Sequence, residues 1–358
     1  MKIGILTFHR AHNYGAVLQC YALQEILQRL GYDVYVIDYR QPTLEYAYKY
    51  WNFRTILKSL RSPKLLFKYL RSLPKRKKTI RIFEDFSCFL KLTKRCDSTN
   101  IPQNFDAYII GSDQLWVSKW TGGSIDSVYT GFFAHSKNSK IFSYAISVNR
   151  NTVDEYSNDK WKEIVSNFYN ISFREREMAE LLHNRINSKI RTDIDPTLLL
   201  DKGIWDRLTN EKWKNSKYIL TYHLPGRFGG MSENEFAEKV QGIANQMHCD
   251  IIHLYPMQYT VTDFVSLFKY ASGVITTSFH ATVFSIIFKK PLMSIVLDDG
   301  FDNRYINLLR SIGASDALVN KNLNEGVFPI LNYRDISINL EKLKKPSIDY
   351  LNSIKDIK

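Results

Sequence analysis

Residues 3–30 decide the fold: Ile3-Gly4-Ile5-Leu6-Thr7-Phe8, then the polar loop His9 to Tyr14 closing on Gly15, then Ala16 to Leu30. The first run reads as a short buried strand. In the last, Val17, Leu18, Tyr21, Ala22, Ile26 and Leu30 recur near the period of about 3.6 residues that marks a helix. Gly31-Tyr32-Asp33 ends that helix, and Val34-Tyr35-Val36-Ile37-Asp38 reads as a second strand. A strand–helix–strand opening predicts a parallel sheet. Ligands of such sheets bind at the carboxyl ends of the strands, where Asn13, Tyr14 and Gly15 fall. The loop carries neither the G-x-G-x-x-G dinucleotide pattern nor the Walker lysine motif.

Further strand and helix patterns follow in two series. The first adds strands at Asp106–Ile110 and Lys140–Ser147 and helices at Trp161–Tyr169 and Arg174–His183, with Ile171-Ser172 closing the sheet. Asp195-Pro196-Thr197 reads as a hinge. The second series has strands at Lys217–Tyr222, Asp250–Tyr255, Gly273–Thr277 and Pro291–Leu297. Helices are expected at Glu233–Met247, Val261–Tyr270 and Ala281–Phe288. The expectation is an α/β protein of two Rossmann-like, doubly wound domains facing across a cleft, as in GT-B-type enzymes. The domains are expected at 1–194, with a basic insertion at about 51–82, and 195–358. Residues 317–358 read as a returning helix and a loose tail.

A chain of 358 residues with net charge +13 suits two globular cores. Cys20, Cys88, Cys96 and Cys249 form no metal-ligand spacing, so reduced thiols and cytoplasmic residence are expected. The opening apolar run is too short for a signal peptide, and no apolar stretch is long enough for a membrane span. The charge is concentrated between Arg54 and Arg81, where eleven basic residues occur without an acid and leucines are interleaved. Such a basic amphipathic segment suits an anionic membrane surface; the bland reading is a solvated helical face. Nucleic acid is not expected, because no recognition motif accompanies the charge.

Polar residues gather at five strand ends: His12 to Gly15, Gly111 to Gln114, Ser172 to Glu175, Ser278 to Ala281, and Asp302 to Arg304. His280 opens a helix, where backbone amides and an imidazole together can hold an anion or move a proton. Ser172 and Glu175 have the spacing of a capping box. That leaves Arg174 in a first helical turn, a position that calls for an anionic ligand or a buried carboxylate. Asp302 and Asn303 read as helix caps, with Arg304 either on an anion or paired with Asp298 or Asp299. Asp113 is a candidate base, hydroxyl binder or turn former. Trp116 either stacks on a sugar or fills the core. No metal cluster, nucleophile elbow or kinase signature is present.

These motifs, in order, resemble the polysaccharide pyruvyl transferase family. The carriers are Asn13-Tyr14-Gly15-Ala16-Val17-Leu18-Gln19, Gly111-Ser112-Asp113-Gln114-Leu115-Trp116, Ser172-Phe173-Arg174-Glu175, Asp195-Pro196-Thr197-Leu198-Leu199, Ser278-Phe279-His280 with Lys290-Pro291, and Asp302-Asn303-Arg304. The likeness spans about residues 1 to 315. It implies transfer of the enolpyruvyl carbons of phosphoenolpyruvate onto two hydroxyls of a hexose, typically a 4,6-ketal on galactose. The implied acceptor is a lipid-linked surface-polysaccharide precursor, the by-product is phosphate, and neither cofactor nor metal is expected. Carried over, His280 and Arg174 serve the donor. Relatives often have arginine where this chain has Ser278, so another cation is needed, and Arg304 and Lys290 are the candidates. Asp113 is the second candidate catalytic group; Asn13, Tyr14, Gln114 and Trp116 are candidates for acceptor binding. A nucleotide-sugar glycosyltransferase and a non-catalytic glycan-binding relative are the rival readings.

Overall fold

Buried side chains, mostly apolar, fill both faces of the inner strands, which a parallel sheet flanked by helices requires. The computed structural model describes residues 1–51, 53–134, 139–223, 232–298, 300, 302–320, 323 and 326–357. The chain forms two compact units, Met1–Leu199 with Asp349–Lys358, and Leu200–Ile348. In the first, β1 (Lys2–Leu6), β2 (Asp33–Val36), β3 (Ala107–Asp113), β4 (Lys140–Ile146), β5 (Ile171–Phe173) and β6 (Ile190–Thr192) form one sheet. Its order is β2-β1-β3-β4-β5-β6, all parallel. In the second, β7 (Tyr218–Tyr222), β8 (Asp250–His253), β9 (Gly273–Thr276), β10 (Leu292–Val296) and β11 (Leu318–Asn320) run β11-β10-β9-β7-β8, again parallel. Both are doubly wound, with the order reversing between β1 and β3 and between β7 and β9. Crevices at such reversals are where this architecture takes ligands.

The opening helix runs Tyr14–Arg29, two residues earlier than its apolar period suggests, because the Asn13 side chain caps it by accepting from the Ala16 amide. Gly111 adopts φ +132°, and a Cβ there would meet the Tyr144 carbonyl oxygen at 2.1 Å, so only glycine fits beside β4. Trp116 and Trp161 pack 5.8 Å apart in the core of the first unit, and the Trp161 indole donates to Val153 O. The four cysteines are free, and burial raises the Cys20 thiol pKa far above its ordinary value. No helix among the described residues is long and apolar enough to cross a membrane.

Three expectations are corrected. Asp195-Pro196-Thr197 is not a hinge: Asp195 accepts from the Thr197 amide and hydroxyl, and Pro196 opens the helix Pro196–Leu199, which packs on Tyr14–Arg29. The unit boundary therefore falls after Leu199 instead of at 194. The terminal stretch is not a loose tail either. Helix Tyr333–Ser353 ends within the first unit, where Tyr350 donates to Ser143 O at 2.9 Å and Tyr32 donates to Leu351 O at 2.8 Å. Short β6 and β11, edge strands that are only partly buried, escaped the sequence reading, whereas the equally short β5 was marked by Ile171-Ser172. Tyr350→Ala empties a buried aromatic site and is expected to cost the first unit about 3–5 kcal/mol, read as a lower urea midpoint.

Candidate active site

In the first unit the loops after β1, β3, β4 and β5 leave the carboxyl edge of the sheet. Arg174 follows β5 with its side chain only 5% exposed, its Nη1 on Asp195 and its Nε 3.4 Å from Glu175. Burial disfavours the charged guanidinium, but the charges of Asp195, Glu175 and Asp113 outweigh it and raise the pKa. The buried carboxylate partner thus accounts for this cation. The expected capping box is absent. Ser172 lies in β5, donating to Asp193 at 2.6 Å, while Glu175 accepts from the Ser147 hydroxyl and the Val148 amide. Both polar groups bind strands together instead of closing the helix Arg176–Ile186.

Asp113 ends β3 at the order reversal. Its carboxylate accepts from the Gln114 amide at 2.9 Å, and its charge reaches Arg174. Asn13 is half-buried and capping, and Gln114 is half-buried beside Asp113. Tyr14 and Trp116 are both fully buried. Trp116 donates its indole N–H to Tyr129 O at 2.8 Å and packs on Phe173, so its place among acceptor-binding residues is corrected to the core. Tyr14 lies with its ring 5.4 Å from Phe83 and is likewise corrected to packing.

Aromatic surface near Asp113 comes instead from His12, already placed at a strand end, and from Tyr48 and Phe83, which the sequence reading passed over. His12 and Tyr48 stack at 4.0 Å, both half-buried, and Phe83 stacks on His12 at 5.3 Å. Burial first, then the Arg76 charge, pushes the His12 imidazole down to about 4. Burial raises the Tyr48 phenol, against a hydrogen bond from the His12 backbone and with the Asp113 charge. Tyr48 sits far along the chain from Asp113 in a short helix, and no local pattern pairs them. At the β1 and β2 ends, Asp38 binds His9, Arg10 and Arg40 at 2.9–3.0 Å. Burial opposes its charge, but these partners hold its carboxyl well below the usual range.

In the second unit the carboxyl edge carries His280. It is 8% exposed and sits in the first turn of Phe279–Ile287, a helix that begins at the half-buried Ser278. The Phe279 ring meets the His280 imidazole edge-on at 5.1 Å, and the Arg304 guanidinium lies 5.9 Å from the same phenyl ring. His280 and Arg304 thus both adjoin the Phe279 ring. Arg304 is held there because Asp302 accepts from the Leu297 and Asp298 amides and from the Tyr305 hydroxyl. That carboxylate ties the loop back and makes no side-chain cap, contrary to expectation. Asp299, one of the expected partners of Arg304, lies outside the described residues.

Lys290 is corrected as a donor ligand. It follows the far end of the same helix, about 14 Å from its start at about 1.5 Å per residue. The neighbouring Pro291 carbonyl accepts from Val274 at the beginning of β9. Lys290 thus lies at the amino edge of the sheet, opposite His280. Two further histidines share the carboxyl edge. His223 follows β7 at the order reversal, and His253 ends β8 with its Nδ1 2.6 Å from the Thr221 hydroxyl. Burial, then the His253 charge, pushes His223 down to about 4. Among the described residues no group of three or more His, Cys, Asp or Glu could hold a metal ion.

A family model described as polysaccharide pyruvyl transferase matches residues 13–299. The chain belongs to that family. Solved proteins of other activities are distantly similar to this pyruvyl transferase. The UDP-GlcNAc 2-epimerase of Methanocaldococcus jannaschii is similar at 11% identity over 96% of this chain and 93% of its own, with TM-score 0.48. The E. coli heptosyltransferase WaaC, solved with ADP, is similar at 12% identity over 96% of this chain and 99% of its own, with TM-score 0.41. No curated protein matches the transferase in sequence.

The lowered His12 value makes a prediction. The unfolded histidine titrates near 6.5 and the folded one near 4, so the unfolded state binds more protons between these values. Stability is fully present above about pH 6.5 and is lost as pH falls toward about 4. His12→Phe, which keeps the stack on Tyr48 and Phe83, is expected to show a smaller drop in Tm across that window than the unaltered protein.

Proposed function

We propose that this family member transfers the enolpyruvyl group of phosphoenolpyruvate onto two hydroxyls of a hexose, a galactose 4,6-ketal being the leading case, in a lipid-linked precursor of a surface polysaccharide such as a capsule or exopolysaccharide. The supporting observation is that His280 and Arg304 both adjoin the Phe279 ring at the helix start after β9. Phosphoenolpyruvate carries both a phosphate and a carboxylate. Charge-assisted hydrogen bonds from arginine and amides at a helix start match those groups. Arg304 supplies the cation that Ser278 lacks. Arg174, already neutralised by carboxylates, orders the edge of the first unit and fixes Asp113 electrostatically.

In this reading His280 donates a proton to the methylene carbon, leaving an oxocarbenium-like centre at the substituted carbon. The first sugar hydroxyl adds there and gives up its proton to a general base. Phosphate departs with the bonding electrons of its ester C–O bond. The second hydroxyl then adds and closes the ketal, releasing a second proton. Tyr48, stacked on His12, offers its ring to the acceptor in the place first expected of Trp116. The reaction is placed at the inner face of the cell membrane, where a lipid-linked acceptor is built.

Phosphate release from phosphoenolpyruvate, measured with lipid-linked and simple β-galactosides, tests the reading. The expected product is heavier than the acceptor by pyruvate less water. Thermal stabilisation by a nucleotide sugar and not by phosphoenolpyruvate would favour a glycosyltransferase instead. His280→Ala is expected to remain folded and lose about 10²–10⁴-fold in kcat. Arg304→Gln is expected to raise the KM for phosphoenolpyruvate about tenfold or more, with a smaller change in kcat.

A further inference from the structure

We infer that Trp51, Leu57, Leu60, Leu65, Phe67 and Leu70, with the cations among them, form a docking tip for an anionic lipid surface, rooted on the loop that would receive the acceptor. The inference deepens the proposed function by naming its partner, but it stands on surface chemistry and not on the pyruvyl reaction. Trp51, Leu57, Leu60, Leu65, Phe67 and Leu70 are all exposed, Phe67 by 66%. Lys58, Arg61, Lys64, Lys68 and Arg71 are exposed among them. Arg54 belongs to the same basic run, but its side chain lies outside the described residues. A solvated helical face would spread charge without this apolar cluster, and a nucleic-acid surface gains nothing from exposed leucines. An anionic bilayer accepts both, taking apolar groups below the headgroups while cations pair with them.

The other end of the same element is anchored. Helix Pro63–Phe86 buries Tyr69, Leu73, Ile82, Phe83 and Phe86. Phe83 stacks on His12 at 5.3 Å, and Arg76 donates to Ala47 O at 2.9 Å, beside the helix Pro42–Tyr48. Phe67 and Phe83 are sixteen residues apart in one helix, about 24 Å at about 1.5 Å per residue. The apolar tip is thus joined by one helix to the His12–Asn13 loop at the carboxyl edge of the first sheet. A chain docked through the tip keeps that loop within one helix length of the lipid, the reach of an oligosaccharide on a lipid carrier.

The test is co-sedimentation of the full chain with vesicles of phosphatidylcholine, with and without one part in three of phosphatidylglycerol. It is run at about 0.1 M salt, where the screening length is about 10 Å. The anionic vesicles are expected to retain the protein and the neutral ones to release it. Leu57→Ser/Leu60→Ser/Phe67→Ser and, separately, Lys64→Gln/Lys68→Gln/Arg71→Gln are each expected to weaken binding about tenfold or more. Both variants should keep the unaltered turnover on a short water-soluble acceptor, since none of these residues belongs to the candidate active site. Brominated lipid should quench Trp51, with the quenching lost in Trp51→Phe. Failure to bind anionic vesicles overturns the inference. So does binding that survives the serine substitutions and prefers single-stranded RNA. Neither result bears on phosphate release, so the docking tip and the chemistry fail separately.

Discussion

Arg174 keeps its charge almost out of reach of water, and the carboxylates that neutralise it tie three parts of the first unit together. Asp195 begins the helix that packs on Tyr14–Arg29. Glu175 holds the end of β4 through Ser147 and Val148. Asp113 contributes its charge from the end of β3. Breaking such a buried pair by removing one partner typically costs about 3–5 kcal/mol, because the other charge is left without compensation. The ends of β3, β4 and β5 are therefore held in one electrostatic unit. The geometry around Asp113 is a consequence of that unit and not of local sequence.

The second sheet reaches its arrangement by different means. Asp302 draws Leu297, Asp298 and Tyr305 together, which sets the start of Asn303–Ser311 and leaves Arg304 on the Phe279 ring. His280 meets the same ring edge-on. In the first unit Arg174 is paired with buried carboxylates. The two arginines that stand alike in sequence thus have different surroundings, carboxylates around Arg174 and an aromatic ring beside Arg304.

Much of the fold was legible because the elements are periodic and well punctuated. The helices Glu233–Met247 and Val261–Tyr270 begin at Ser232 and Thr260, whose side chains accept from the first-turn amides. Their bounds are those expected from the sequence, and these caps account for where the helices begin. The short edge strands β6 and β11 are only partly buried and carry no such signal. Polar spacing misled where a side chain had a distant partner. Ser172 and Glu175 stand at capping-box spacing, yet their bonds go to Asp193, Ser147 and Val148. Lys290 adjoins the right helix at the wrong end, since chain proximity does not tell which edge of a sheet a residue occupies.

The sequence by itself determined the two doubly wound α/β units, the family, and the strand ends that carry polar groups. Each of these depends on local periodicity, turn chemistry and ordered motifs, all of which are properties of neighbours along the chain. Only the tertiary structure decided which of the residues at those strand ends are spent on packing. It moved Trp116 and Tyr14 into the core and set His12 and Tyr48 beside Asp113. It also returned the last ten residues, Asp349–Lys358, to the first unit. Burial and long-range pairing join residues tens to hundreds of positions apart. Their energies arise from desolvation and contact, which no window of sequence contains.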